Sequence, residues 1–132
     1  METAAVMGGR WFVLAVVVAS AICVAGVVLG AWWLTFPAGL ALGVVMPARS
    51  AMPAGALAGL IGWGAPLGWA QWRYGIGAAG RTLAAIMGIT QGGPVAPVVL
   101  TCVVGVLLGF AGAWLGAAGR SVVFSGQSAS SR

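Results

Sequence analysis

Three long stretches of this chain, residues 11–48, 50–72 and 82–119, contain no charged side chain. Within them apolar residues follow one another without the wet face that a helix in water must repeat every turn. A helix needs about 20 such residues to cross the ~30 Å hydrocarbon core of a bilayer. The pattern predicts an all-α integral membrane protein, with about four transmembrane helices plus a short re-entrant or interfacial segment.

The breaks between elements can be read from the residues that interrupt each run. Residues 11–48 are too many for one straight span at ~1.5 Å per residue, so they fold back. The fold-back falls at Trp32-Trp33-Leu34-Thr35-Phe36-Pro37, where the tryptophans suit a membrane interface and Pro37 suits the start of a new helix. This gives spans of about 11–33 and 36–48. The third span is about 50–72. It has Pro53 in its first turn and Pro66 deeper, where a kink is expected, and it closes in a collar of Trp69, Gln71, Trp72, Arg73 and Tyr74. Thr82–Ile89 is too short to cross, so residues 77–91 are read as interfacial or re-entrant. Pro94 and Pro97 open a last span of about 95–118, closed by Trp114 and Arg120. Residues 1–120 thus form one transmembrane domain, and the serine-rich residues 121–132 a disordered tail.

Composition narrows the class. The chain of 132 residues is 61% hydrophobic and 5% charged, against roughly 25% charged in soluble domains. Its net charge of +5 comes from isolated arginines at span ends. They read as topology signals, and no nucleic-acid partner is expected. With four spans and a cytoplasmic N-terminus, Arg10, Arg49, Arg120 and Arg132 lie inside and only Arg73 and Arg81 outside, so both termini are expected in the cytoplasm. The glycine-, alanine- and arginine-rich composition, with no lysine or asparagine, fits a GC-rich genome and hence the plasma (inner) membrane of a prokaryote. Arg10, the apolar Trp11–Val18 and Ala19-Ser20-Ala21 imitate a cleavable signal, but the apolar run continues past Leu34, so the segment reads as the first span.

Candidate chemistry is scarce. General acid–base catalysis needs a titratable group, and the chain has no histidine, lysine or aspartate. The single carboxylate, Glu2, lies outside the spans. Cys23 and Cys102 are far apart in apolar runs, with no metal-ligand spacing. No catalytic residue, cofactor or metal is therefore expected. Small four-span multidrug transporters depend on an intramembrane glutamate, and dual-topology fluoride channels on a pore asparagine. This chain has neither and resembles neither family.

What remains is packing. Gly26/Gly30, Gly39/Gly43, Gly55/Gly59, Gly64/Gly68, Gly105/Gly109 and Gly112/Gly116 all have GxxxG spacing, which lets helix backbones approach closely in lipid. Gly26, Gly30, Gly55, Gly59, Gly105 and Gly109 are the expected helix-packing residues. Six of the seven tryptophans fall near span ends; Trp63 alone lies mid-span. Trp63 is therefore an expected lipid or partner contact, together with Arg49, Arg73 and Arg81. The function that follows is a non-catalytic accessory or structural subunit of a larger membrane complex, whose partners are membrane lipids and other membrane subunits. One alternative is a homo-oligomeric channel or passive transporter lined by Ser20, Thr90, Gln91 and Thr101. A weaker one is a holin-like membrane-disrupting protein.

Overall fold

The computed structural model describes the backbone of residues 2–75, 77–88 and 93–130, and the side chains of 9–75, 77–88 and 93–122. The fold is all-α, with no strand among the described residues. Helix α1 spans Glu2–Val28, α2 Thr35–Val45, α3 Ala48–Tyr74, α4 Gly77–Ile86 and α5 Val95–Ser130. A single 3-10 turn, Trp32–Leu34, precedes α2. Each expected apolar run thus holds a helix, and the short segment after α3 holds its own. Thr90 and Gln91 lie outside the described residues. α5 runs on to Ser130, through most of the serine-rich residues 121–132 that the sequence predicts to be a disordered tail.

Among the described residues, two helices are long and apolar enough to cross a membrane, Gly9–Val28 within α1 and Val95–Val122 within α5. Only 28% and 22% of their most apolar windows are buried, whereas the core helix of a soluble protein is mostly covered. α3 has the length, at 27 residues, but its glycine, alanine and tryptophan content lowers its hydropathy. The apolar stretch Trp32–Val45 is shorter.

The first helix ends earlier than its apolar run suggests, at Val28 rather than Trp33. The cause is Gly30, whose φ of +79° is costly for a residue with a Cβ. The Ala31 N–H donates to the Gly26 carbonyl (2.7 Å) and the Gly30 N–H to the Val27 carbonyl (3.2 Å). This pair of bonds is a Schellman cap, which satisfies two orphan carbonyls and turns the chain. Gly75 (φ +60°) closes α3 and Gly88 (φ +70°) closes α4 in the same left-handed conformation. α3 itself continues through both Pro53 and Pro66.

The helices assemble around α5. Gly105 and Gly109 face Gly59 and Gly55 of α3 in antiparallel register, while Gly112 and Gly116 face Phe36 and Leu40 of α2 in parallel register. α1 lies on the other side of α3, where Cys23 meets Gly62 and Val16, Ala19, Leu42, Ala54 and Ala58 form a small apolar cluster. Directions therefore alternate along α1, α2, α3 and α5. Arg10, Arg49 and Arg120 fall at one end, Arg73 and Arg81 at the other.

The interior is made of small residues. Ala51, Ala54 and Ala113 have no exposed surface, and the largest fully buried side chains are Thr35 and Cys23. The bulky apolar groups point outward: Leu29 is 81% exposed, Val45 77% and Val28 68%. A protein in water buries its leucines and valines. Small residues inside and large ones outside is the arrangement that apolar surroundings permit, because burying leucine there brings no gain and close backbone packing does.

Candidate functional site: glycine seams, a polar node and a lateral cleft

A Cβ on any of several seam glycines would land on backbone atoms of the facing helix. At Gly59 it would strike the Gly105 carbonyl oxygen, at Gly109 that of Gly55, and at Gly43 that of Ala113. Gly39 and Gly55 both press on the carbonyl of Gly109, so α2, α3 and α5 touch through bare backbone at one level. Contact this close permits Cα–H···O approaches and dense dispersion. Gly55, Gly59, Gly105 and Gly109 all lie in these seams.

The other expected packing pair is placed differently. Gly30 is outside any helix, and a Cβ there would meet nothing within 4 Å; it serves the turn and not a helix face. Gly26 meets Ala31 and Leu34 of its own fold-back. The spacing of these two glycines is a consequence of the Schellman cap, a possibility that GxxxG counting does not separate from packing.

One polar node sits among the seams. Thr35, 1% exposed, donates its hydroxyl to the Trp32 carbonyl (3.0 Å) and accepts the indole N–H of Trp63 (3.0 Å). The Trp63 ring in turn covers Gly105, where a Cβ would be 2.7 Å from its Cγ and Cδ1. A single hydroxyl thereby links α2, the turn before it and α3, and the ring it holds seats α5. Trp63 is thus engaged inside the bundle, which periodicity within α3 does not reveal because its partner is 28 positions away.

The remaining hydroxyls are dispersed. Ser20 is buried and its Oγ has no hydrogen-bond partner among the described residues. Thr101 donates to the Pro97 carbonyl of its own helix (2.7 Å). Ser20 lies on α1, and Thr101 lines a small hollow beside α4. Among the described residues there is no group of three or more possible metal ligands.

A hollow opens sideways, between α3, α4 and the start of α5. Its volume is about 400 Å³. Gly64, Leu67, Gly68 and Gln71 line it from α3, and Gly77 and Gly80 from α4. Pro94, Val95, Val98 and Cys102 complete it. A smaller hollow of about 190 Å³ adjoins it and shares Leu67, Gly80 and Val98.

The arginines sit at the helix ends. Arg49 is exposed in the first turn of α3. Arg73 lies over the Trp69 ring at 5.8 Å, and Trp69 meets Trp72 edge-on at 5.5 Å, a cluster suited to a headgroup layer. Arg81 is exposed on α4, and helical spacing puts it beside Gly77 and Ala84. No protein-family model, curated protein or solved structure matches this chain.

Proposed function

We propose that this chain is a four-span integral membrane protein of a prokaryotic inner membrane, with α1, α2, α3 and α5 as spans, α4 lying at the interface and both termini in the cytoplasm. Its role is that of a non-catalytic accessory or structural subunit of a larger membrane complex. The alternating helix directions support the four-span reading, and the three arginines gathered at the end that holds the N-terminus of α1 support the orientation.

The observation that carries the accessory reading is the bare outer surface of α1. Val13, Leu14, Val17, Val18 and Ile22 are 45–60% exposed. They present an apolar wall next to a bundle whose described interior is made mainly of small residues. Because the glycine seams are already occupied within the chain, a partner subunit would meet this Val/Leu wall instead. The test is extraction in mild detergent followed by measurement of particle mass and polypeptide content. A particle containing other polypeptides in fixed ratio is expected. A particle of this chain alone refutes the accessory role and directs attention to flux through its oligomers.

A further inference from the structure

The outer face of α1 carries one charge, and its place on that face decides what can cover it. Arg10, Leu14, Val17 and Ala21 follow at spacings of four, three and four, which keeps them in one line along the helix. All four are exposed, while Ala19 and Cys23 are buried on the side turned to the bundle. Val13 and Val18 flank the line and are exposed as well. A shallow groove runs along this face, lined by Gly9, Arg10, Val13, Leu14, Val17 and Val18. Arg10 is thus part of the apolar groove itself, in its middle line and at one end.

A helix that covers Leu14 and Val17 also covers Arg10. A guanidinium taken out of water without a counter-charge is strongly disfavoured, so the covering helix must bring an anion to that level. A second copy of this chain does not supply one. Its only carboxylate is Glu2, two turns or about 12 Å before Arg10 on the same helix. In a parallel pair of copies joined through this face, Arg10 would meet Arg10. In an antiparallel pair it would meet the apolar far end of α1, near Val28.

We propose that this face of α1 binds a transmembrane helix of a different polypeptide, one that carries an aspartate or glutamate at the level of Arg10. The inference rests on the accessory-subunit reading above and gives the partner a chemistry. Leu14 and Val17 supply dispersion contacts, and Ala21 lets the two backbones come close further along the line. The pair of Arg10 with the partner's carboxylate fixes the depth and register of the partner helix.

The test uses the full chain in the membranes of the cells that make it, with photoreactive benzoylphenylalanine at position 17. Cross-linked products are identified by peptide mass spectrometry. The expected product joins this chain to a second polypeptide through an apolar span with an aspartate or glutamate at its Arg10 end. Arg10→Glu is expected to cut the yield by about fivefold or more. Changing the partner's acid to arginine is expected to restore it, which a misfolded or inverted chain would not allow. The same photoreactive group at position 107, on the exposed face of α5, is expected to give no such product. A cross-link to a second copy of this chain overturns the proposal, as does a cross-link to lipid alone. A yield indifferent to Arg10→Glu, or not restored by the reciprocal change, overturns the ion pair. If other polypeptides still purify with the chain in fixed ratio, these outcomes leave the accessory reading standing; a particle of this chain alone overturns that reading as well.

Discussion

Replacing Gly109 with alanine adds one methyl group where α2, α3 and α5 meet. The new Cβ would strike the Gly55 carbonyl oxygen and lie 2.9 Å from its carbonyl carbon. Ordinary carbon contacts need ~3.5–4.0 Å, so α3 and α5 must separate by about 1 Å along their shared seam. Both opposing atoms are backbone, so no side chain can swing aside. Overpacking of this kind costs about 1–3 kcal/mol, and the separation also weakens the neighbouring Gly59–Gly105 approach. Gly68→Ala makes the same chemical change where a Cβ meets nothing within 4 Å. It should therefore gain the helix-propensity difference of about 1 kcal/mol. The same propensity gain accrues at both helical positions, so Gly109→Ala should be the less stable of the two by about 1–3 kcal/mol. Reversible unfolding in mixed micelles of mild detergent and dodecyl sulfate, followed by loss of helicity, measures this. Equal stability of Gly109→Ala and Gly68→Ala would refute the backbone-to-backbone seam. Destabilisation by Gly68→Ala as large as that by Gly109→Ala would refute the open cleft.

Three further outcomes follow from the same geometry. Trp63→Phe removes the indole N–H that Thr35 accepts, and Thr35→Val removes the acceptor. A double-mutant cycle in the unfolding assay should show a coupling of about 0.5–2 kcal/mol, and zero coupling would dissolve the polar node. Gly30→Ala forces a Cβ into a φ of +79° and should cost about 1–2 kcal/mol. Gly30→Asn should cost visibly less, and equal effects would argue against the left-handed cap. Ser20→Ala deletes a buried hydroxyl without a partner and should leave stability unchanged or raise it by about 1 kcal/mol; a loss beyond that range would mean the hydroxyl is satisfied.

The elements were legible because helix formation and transfer into an apolar phase are local properties. Charge-free runs bounded by tryptophan, proline and arginine located all five helices, including the short one after Arg73. The end of α1 shows the limit of that reading. Hydropathy continues smoothly through Leu29 to Leu34, whereas the backbone turns at Gly30 through hydrogen bonds that carry no hydropathy signal. The same glycine had been assigned to helix packing because spacing alone cannot tell a cap from a contact. A stop signal was present in principle, as Gly30-Ala31 ahead of two tryptophans.

For the candidate site the division is sharper. Spacing gave six glycine pairs equal standing. The fold distributes them among backbone seams (Gly39/Gly43, Gly55/Gly59, Gly105/Gly109, Gly112/Gly116), a turn (Gly26/Gly30) and an open cleft (Gly64/Gly68). Trp63 looked like an outward contact and is bonded to Thr35. The sequence by itself determined an apolar helical chain, its turns and the near absence of ionisable groups, since each depends on residues within a few positions of one another. Tertiary structure alone decided which glycine meets a carbonyl, which hydroxyl meets an indole and where space is left empty. Those outcomes depend on the relative rotation and register of whole helices, set by many weak contacts between residues distant in the chain.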